Sequence, residues 1–272
     1  TSLERLAYAA MSQGYYARAQ RYAGRGYAIR LTVDQPCYLG SSLSSLGFIA
    51  AACGQYAEAI DHYEAALRAS DSWTHDPWVV RGRTAVLAGA SSAAGYAGRS
   101  EDAIAYAEQA LTEEVPQLPI EDSGAPHASL AWALQLIKRY EEADDLYREA
   151  LHRSTAHNSV RIAVQARTGL AGLSLARGKT DEAKIYVEAV LDDLPNHAHF
   201  KAGHDGIRIL YACYCVLAAV EDPRAERILE ECYRLVREVA ERIGDGALRR
   251  SFLENGPLIA EIIEAWETHG NL

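Results

Sequence analysis

One short phrase returns along this chain at a nearly fixed interval, opening on a turn-forming residue and closing on alanine. It reads Gly14-Tyr15-Tyr16-Ala17-Arg18-Ala19, Gly54-Gln55-Tyr56-Ala57-Glu58-Ala59 and Gly98-Arg99-Ser100-Glu101-Asp102-Ala103. It continues as Lys138-Arg139-Tyr140-Glu141-Glu142-Ala143 and Gly178-Lys179-Thr180-Asp181-Glu182-Ala183, and fades into Val220-Glu221-Asp222-Pro223-Arg224-Ala225. The closing alanines lie 40, 44, 40, 40 and 42 residues apart. A period of this size marks a stacked repeat array, in which each unit buries its apolar face only against its neighbours.

Each unit resolves into two helices around its turn. In the second, the pattern predicts helix A over Tyr38–Cys53 and helix B over Tyr56–Ala69. Gly54 ends the first, because glycine enters a left-handed C-terminal position without steric cost. Turns between A and B are expected near Gly14, Gly54, Gly98, Lys138, Gly178 and Val220. Helix B carries a stripe at helical period: Ala59, Tyr63, Ala66 and Leu67, then Ala103, Ala107, Ala110 and Leu111, then Ala143, Tyr147, Ala150 and Leu151. The A segments Leu39–Cys53, Thr84–Ala97, Ala125–Ile137 and Ile209–Val220 hold no Asp, Glu, Lys or Arg, whereas charge crowds onto B. The A helices are therefore the expected inner layer and the B helices the solvated outer wall.

Composition narrows the function. The chain has 272 residues, 37 acids against 27 bases and a net charge of −10, which disfavours the counterion-releasing basic surface that nucleic acid requires. The stretch Gln35–Ala57 is uncharged. Its serines and glycines make it too polar for a bilayer span, so it is expected as an internal helix and no membrane partner is expected. The five cysteines, Cys37, Cys53, Cys213, Cys215 and Cys232, lack paired-motif spacing and are expected as reduced packing residues. No signal-peptide pattern opens the chain, and helical sequence starts at once. The expectation is a cytoplasmic segment of a larger protein.

No motif of catalysis or metal binding withstands scrutiny. Gly172 to Thr180 approaches a phosphate loop, but the glycines are six apart where five are needed, and the segment falls on a turn between helices. His197, His199, His204 and Asp205 could converge on a metal, but the stretch Pro195–Gly203 reads as a solvated loop, and His75, His127 and His157 also fall in or near connections. Ser41, Ser42, Ser44, Ser45, Ser91 and Ser92 read as small packing residues, with no nucleophile elbow around them. The acidic run Glu141, Glu142, Asp144 and Asp145 reads as a solvated face. No catalytic residue, no metal site and no cofactor is expected.

Leu46-Gly47, Gly54, Tyr56, Ala59, Tyr63 and Ala66-Leu67 resemble the tetratricopeptide repeat, and Leu130-Ala131, Tyr140, Ala143, Tyr147 and Ala150-Leu151 match it nearly as well. The 40-residue period is similar to the longer variant in sensor regions of bacterial signalling ATPases and of MalT-like and AfsR-like transcription activators. The end of the chain, from Ile243-Gly244-Asp245-Gly246 through Phe252-Leu253-Glu254-Asn255 to the helix Leu258–Trp266, resembles the close of the repeat region in cyclase–ATPase–repeat signalling proteins. The resemblance implies an all-α, right-handed α-solenoid of about six hairpins. The repeat array is expected over residues 1–244, with a C-terminal cap over 245–272.

One inner-wall position falls eleven residues before each marker alanine, and by the resemblance it faces the concave groove. It holds Tyr8, Phe48, Ser92, Trp132, Gly172 and Tyr214, four of them aromatic, with Ser44, Tyr96 and Gln135 one turn away. These rings either fill the bore or line a groove for a protein segment, peptide or small ligand. The groove reading makes Tyr8, Ser44, Phe48, Ser92, Tyr96, Trp132, Gln135 and Tyr214 the candidate binding residues. The shortage of Lys and Arg on the inner helices argues against a clamp for a C-terminal carboxylate and for weak salt dependence. The expected role is a non-catalytic sensor or interaction array joined to an upstream effector. The alternatives are a passive scaffold binding through its convex or edge surface, or an accessory segment of an attached cyclase or ATPase.

Overall fold

The structure, a computed structural model, describes residues 2–32, 36–71, 77–113, 124–194 and 203–269. The described residues form helices and turns, with no strand among them. Six antiparallel hairpins follow one another: α1 (Ser2–Ser12) with α2 (Tyr16–Leu31), α3 (Pro36–Ala52) with α4 (Tyr56–Ser70), and α5 (Pro77–Tyr96) with α6 (Ser100–Thr112). Then come α7 (Ala125–Leu136) with α8 (Tyr140–Ala156), α9 (Val160–Ala176) with α10 (Thr180–Asp193), and α11 (Gly203–Ala219) with α12 (Ala225–Arg242). Two helices, α13 (Gly246–Asn255) and α14 (Pro257–His269), complete the chain where a single capping helix was expected. Asp245 begins α13, its carboxylate accepting from the N–H groups of Ala247 and Leu248 at 2.8 and 2.9 Å.

The A-to-B turns share one geometry. Gly14, Gly54, Gly98, Lys138, Gly178 and Glu221 all adopt positive φ, and the N–H of the next residue donates to the carbonyl five positions back. Gln55 to Ala50, Arg139 to Leu134 and Asp222 to Leu217 are examples, each at 2.9 Å. This is the Schellman closure, which satisfies carbonyls the helix end would otherwise leave free. The sixth turn lies at Glu221, one residue beyond the expected Val220. That slip leaves four residues rather than five before the marker alanine, so Ala225 is only half-buried while Ala19, Ala59, Ala103, Ala143 and Ala183 are fully buried.

The inner and outer layers divide as charge predicts. Helix α9 is buried along most of its length from Ile162 to Ser174, whereas α10 buries only Ala183, Val187 and Val190. The closing leucines of the stripes depart from expectation. Leu67 and Leu151 are half-buried and Leu111 is exposed, because they stand at the edge between neighbouring outer helices. Helix α12 is the exception among B helices, buried from Ile228 to Ala240 because α14 covers it. There Trp266 stacks on Tyr233 with centroids 5.0 Å apart. Cys53, Cys213 and Cys232 are buried and Cys215 is half-buried, all as free thiols; the Cys37 side chain lies outside the described residues.

The solenoid closes on itself. The Arg242 guanidinium donates to the Gln13 carbonyl at 3.2 Å, and Tyr16 of α2 meets Phe252 of α13 with centroids 6.2 Å apart. The turn at Gly54 packs under the α13–α14 junction so closely that a Cβ there would stand 2.8 Å from the Ser251 carbonyl oxygen. A Cβ at Gly203, at the start of α11, would meet the Ser12 carbonyl oxygen at the same distance. One continuous core therefore joins Ala7, Tyr16 and Ile49 to Leu210, Val239 and Phe252. The first hairpin is stapled inside this ring by Arg30, which ion-pairs with Glu4 and donates to Ser42 at 2.9 Å.

Candidate functional site

The closed ring encloses a channel of about 1340 Å3, walled chiefly by the inner helices α1, α3, α5, α7, α9 and α11. Of the eight candidate residues, Tyr8, Ser44, Phe48, Ser92, Tyr96 and Trp132 border it. The other two do not. Gln135 turns into the wall, where it accepts the Tyr147 hydroxyl at 3.0 Å and crowds against Gly172. Tyr214 packs on Tyr211, 5.8 Å between centroids, further along α11 than the part that reaches the channel.

The aromatic residues support one another from behind. Phe48 meets Tyr63 edge-on at 5.3 Å, and Tyr96 stacks on Tyr56 at 5.2 Å. Burial pushes the Tyr56 phenol up to about 12 and the Tyr96 phenol higher still, with Arg208 opposing the rise at Tyr96 and a hydrogen bond from Trp132 reaching its oxygen. Both phenols stay neutral at physiological pH and act as hydrogen-bonding rings. The Glu261 charge on α14 adds to the rise at both Tyr96 and Tyr211.

The expectation of an uncharged wall does not hold. Arg30, Arg83, Arg161 and Arg208 border the channel, as do Glu4 and Asp205. The uncharged stretches begin immediately after Arg83 and Arg208, so these two stand just ahead of them on the inner helices, while Arg30 lies in the last turn of the outer helix α2. Arg83, Arg161 and Arg208 lie 20, 22 and 17 positions before their marker alanines, without a common spacing, which hides them from a search by period. Two of the arginines are structural. Arg30 is paired as described, and Arg83 donates to Ser70 at 3.1 Å, Asp71 at 2.9 Å, Glu113 at 3.2 Å and the Leu67 carbonyl at 3.2 Å.

Arg208 is held differently. Its guanidinium lies 4.5 Å from the Trp132 ring centroid, in the arrangement of a cation–π contact. Its ionic partner, Asp205, is 3.9 Å away and also accepts from Gln165 at 3.0 Å. His204 and Asp205 belong to the first turn of α11, not to a loop. Burial and the Arg208 charge hold the His204 imidazole below the usual histidine range, against the opposing pull of Asp205. His75, His197 and His199 lie outside the described residues.

Burial pushes the thiols of Cys53 and Cys215 up to about 12 and about 11, and Cys232 higher, away from thiolate reactivity. Among the described residues no group of three or more His, Cys, Asp or Glu could hold a metal ion. No described helix is long and apolar enough to cross a membrane.

Residues 39–70 and 128–159, which fall on the second and fourth hairpins, match the family model of the tetratricopeptide repeat. No curated protein matches the chain. Among solved structures it is similar to a Rap protein complexed with competence and sporulation factor, at 15% identity and a TM-score of 0.62. It is also similar to the Rap conjugation gene regulator of the plasmid pLS20 in complex with the Phr* peptide, at 13% and 0.56. Each alignment covers 98% of this chain and 75% of the other. BtubC (BKLC) from P. vanneervenii matches at 20% identity and a TM-score of 0.54, over 88% of this chain and 92% of its own. At such identities the likeness is one of fold.

Proposed function

We propose that this chain, a tetratricopeptide-type α-solenoid closed into a ring, is a binding array that takes a peptide or extended protein segment into its central channel. The observation that carries the proposal is that Phe48, Tyr96 and Trp132 border open volume instead of filling it. Pockets for drug-sized ligands span about 300–1,000 Å3, so about 1340 Å3 suits something longer. Half-buried Tyr and Trp rings are the side chains that usually anchor such a segment. The two Rap structures, one holding competence and sporulation factor and the other the Phr* peptide, support this by analogy of fold.

A ligand in the channel touches α1 and α11 together and so spans the seam at which the ring closes. It would favour the closed over the opened ring by its difference in affinity for the two. In a larger signalling protein, that shift would restrain or release an attached effector. The test is Trp132→Ala, assayed by affinity selection from a pool of acetylated random hexapeptides. Binding should weaken by about 2 kcal/mol or more while the melting temperature barely changes. A variant that unfolds with no selective loss of binding would make Trp132 a core residue and remove the basis of the proposal.

A further inference from the structure

The channel is not electrically uniform. Glu4 offsets Arg30, and Glu113 and Asp71 offset Arg83. Arg208, which also borders the channel, has only a long ion pair, to Asp205 at 3.9 Å.

Arg208 is the least satisfied of these groups. Its side chain is only 14% exposed, yet the Asp205 carboxylate that pairs with it is 55% exposed and at the edge of ion-pair distance. Its Nε–H is buried and has no hydrogen-bond acceptor among the described residues. A guanidinium stacked on an indole keeps its edge N–H groups free to meet a planar carboxylate with two parallel bonds. An unpaired buried donor of this kind is costly unless a partner arrives. Trp132 fixes the plane of the fork, and Tyr96, hydrogen-bonded to Trp132, fixes the indole in turn.

We infer that Arg208, stacked on Trp132, is an anion subsite for an acidic side chain of the bound peptide, so that the channel selects Asp- or Glu-containing segments. The ring faces of Phe48 and Tyr96 receive neighbouring apolar residues. This deepens the proposed peptide-binding function and rests on it. It also replaces the expectation of weak salt dependence: the charged part of the affinity is screened as ionic strength rises.

The experiment uses the intact chain and four pools of acetylated hexapeptides, with Ala, Leu, Tyr and Gly randomised at the other positions. Three are C-terminally amidated and carry two residues that are Asp or Glu, Asn or Gln, or Lys. The fourth has no acidic side chain and a free C-terminal carboxylate. Affinity selection followed by mass spectrometry should recover the acidic pool at least tenfold over the other three, with an advantage that falls between 50 mM and 500 mM salt. Arg208→Gln should abolish that advantage. Arg208→Lys, which keeps the charge and the fold but loses the two-pronged geometry, should reduce it. Equal recovery of the Asn/Gln or Lys pool, with binding still dependent on Trp132, would overturn the anion subsite and leave the channel proposal standing. Preference for the free-carboxylate pool would assign Arg208 to a chain terminus and overturn the side-chain assignment. Failure of every pool to bind would overturn both.

Discussion

The ring of Tyr147 lies directly on Gly169: a Cβ at that glycine would stand 2.1 Å from the ring's Cζ. Tyr63 occupies the same place two units earlier, wedged between Gly47 and Gly89, each of whose Cβ positions would fall 2.7 Å from it. The repeat stacks by laying a buried outer-helix tyrosine on inner-helix glycines. The glycines look like helix weaknesses in the sequence, but they provide the space for the ring.

Gly169→Ala should therefore destabilise the protein by about 1–3 kcal/mol through overpacking. Gly24→Ala is the control, since that helical glycine has nothing within 4 Å of a Cβ, and it should stabilise by about 0.5–1 kcal/mol. Chemical denaturation of both variants checks this. Loss of stability in Gly24→Ala, or none in Gly169→Ala, would contradict the packing.

The seam can be separated from turn strain. Gly54 and Gly98 share φ of +73°, but only Gly54 meets another element, the Ser251 carbonyl oxygen and the Gly256 nitrogen. Alanine at Gly98 should cost about 1–2 kcal/mol for the left-handed backbone alone. At Gly54 it should cost distinctly more and loosen α13 and α14, visible as faster amide exchange there. Equal costs would mean that the ring is open in solution.

Arg83 is buried and bonded to four groups from two directions, so Arg83→Ala should cost about 3–5 kcal/mol, the usual loss on breaking a buried ion pair. Arg224, bonded to Asp222 and Glu188 on the partly exposed outer wall, should cost no more than about 1 kcal/mol on truncation. Thermal melts of the two variants decide this.

His204 gives the fold a pH dependence of known sign. Its folded pKa is depressed, first by burial and then by Arg208, so the unfolded chain takes up the proton first as pH falls. Stability is complete above about 6.5, the ordinary histidine value, and is lost as pH drops through the window below it. The depressed carboxylates Glu4, Glu149 and Glu188 protonate further down. The melting temperature should fall between pH 7.5 and 5.5 in the native protein, and less in His204→Gln. Parallel curves would remove His204 from the account.

The hairpins, the turns and the layering were legible because each is fixed within one repeat. Gly54 and Ala59 carry the same local instruction wherever they recur. Ring closure was not legible, since it depends on small rotations summed over six hairpins, and neither Phe252 nor Gly203 announces the partner it meets. The aromatic positions were readable by phase up to the fifth repeat. Tyr214 fell out of the channel where the phase slips at Glu221, and Arg208 escaped notice because no other repeat has an arginine in its place.

The most direct test of the channel is to fill it. Ser92 lines the wall and is half-buried, its hydroxyl turned back to the Ala88 carbonyl at 2.9 Å, so tryptophan at 92 would project into open space. Titration of the selected hexapeptides by calorimetry should show binding to the native protein and at least a tenfold loss in Ser92→Trp, with unchanged circular dichroism. Undiminished binding to Ser92→Trp, together with loss of binding on neutralising Glu141 and Asp145 of the outer wall, would place the site on the convex face and contradict the account.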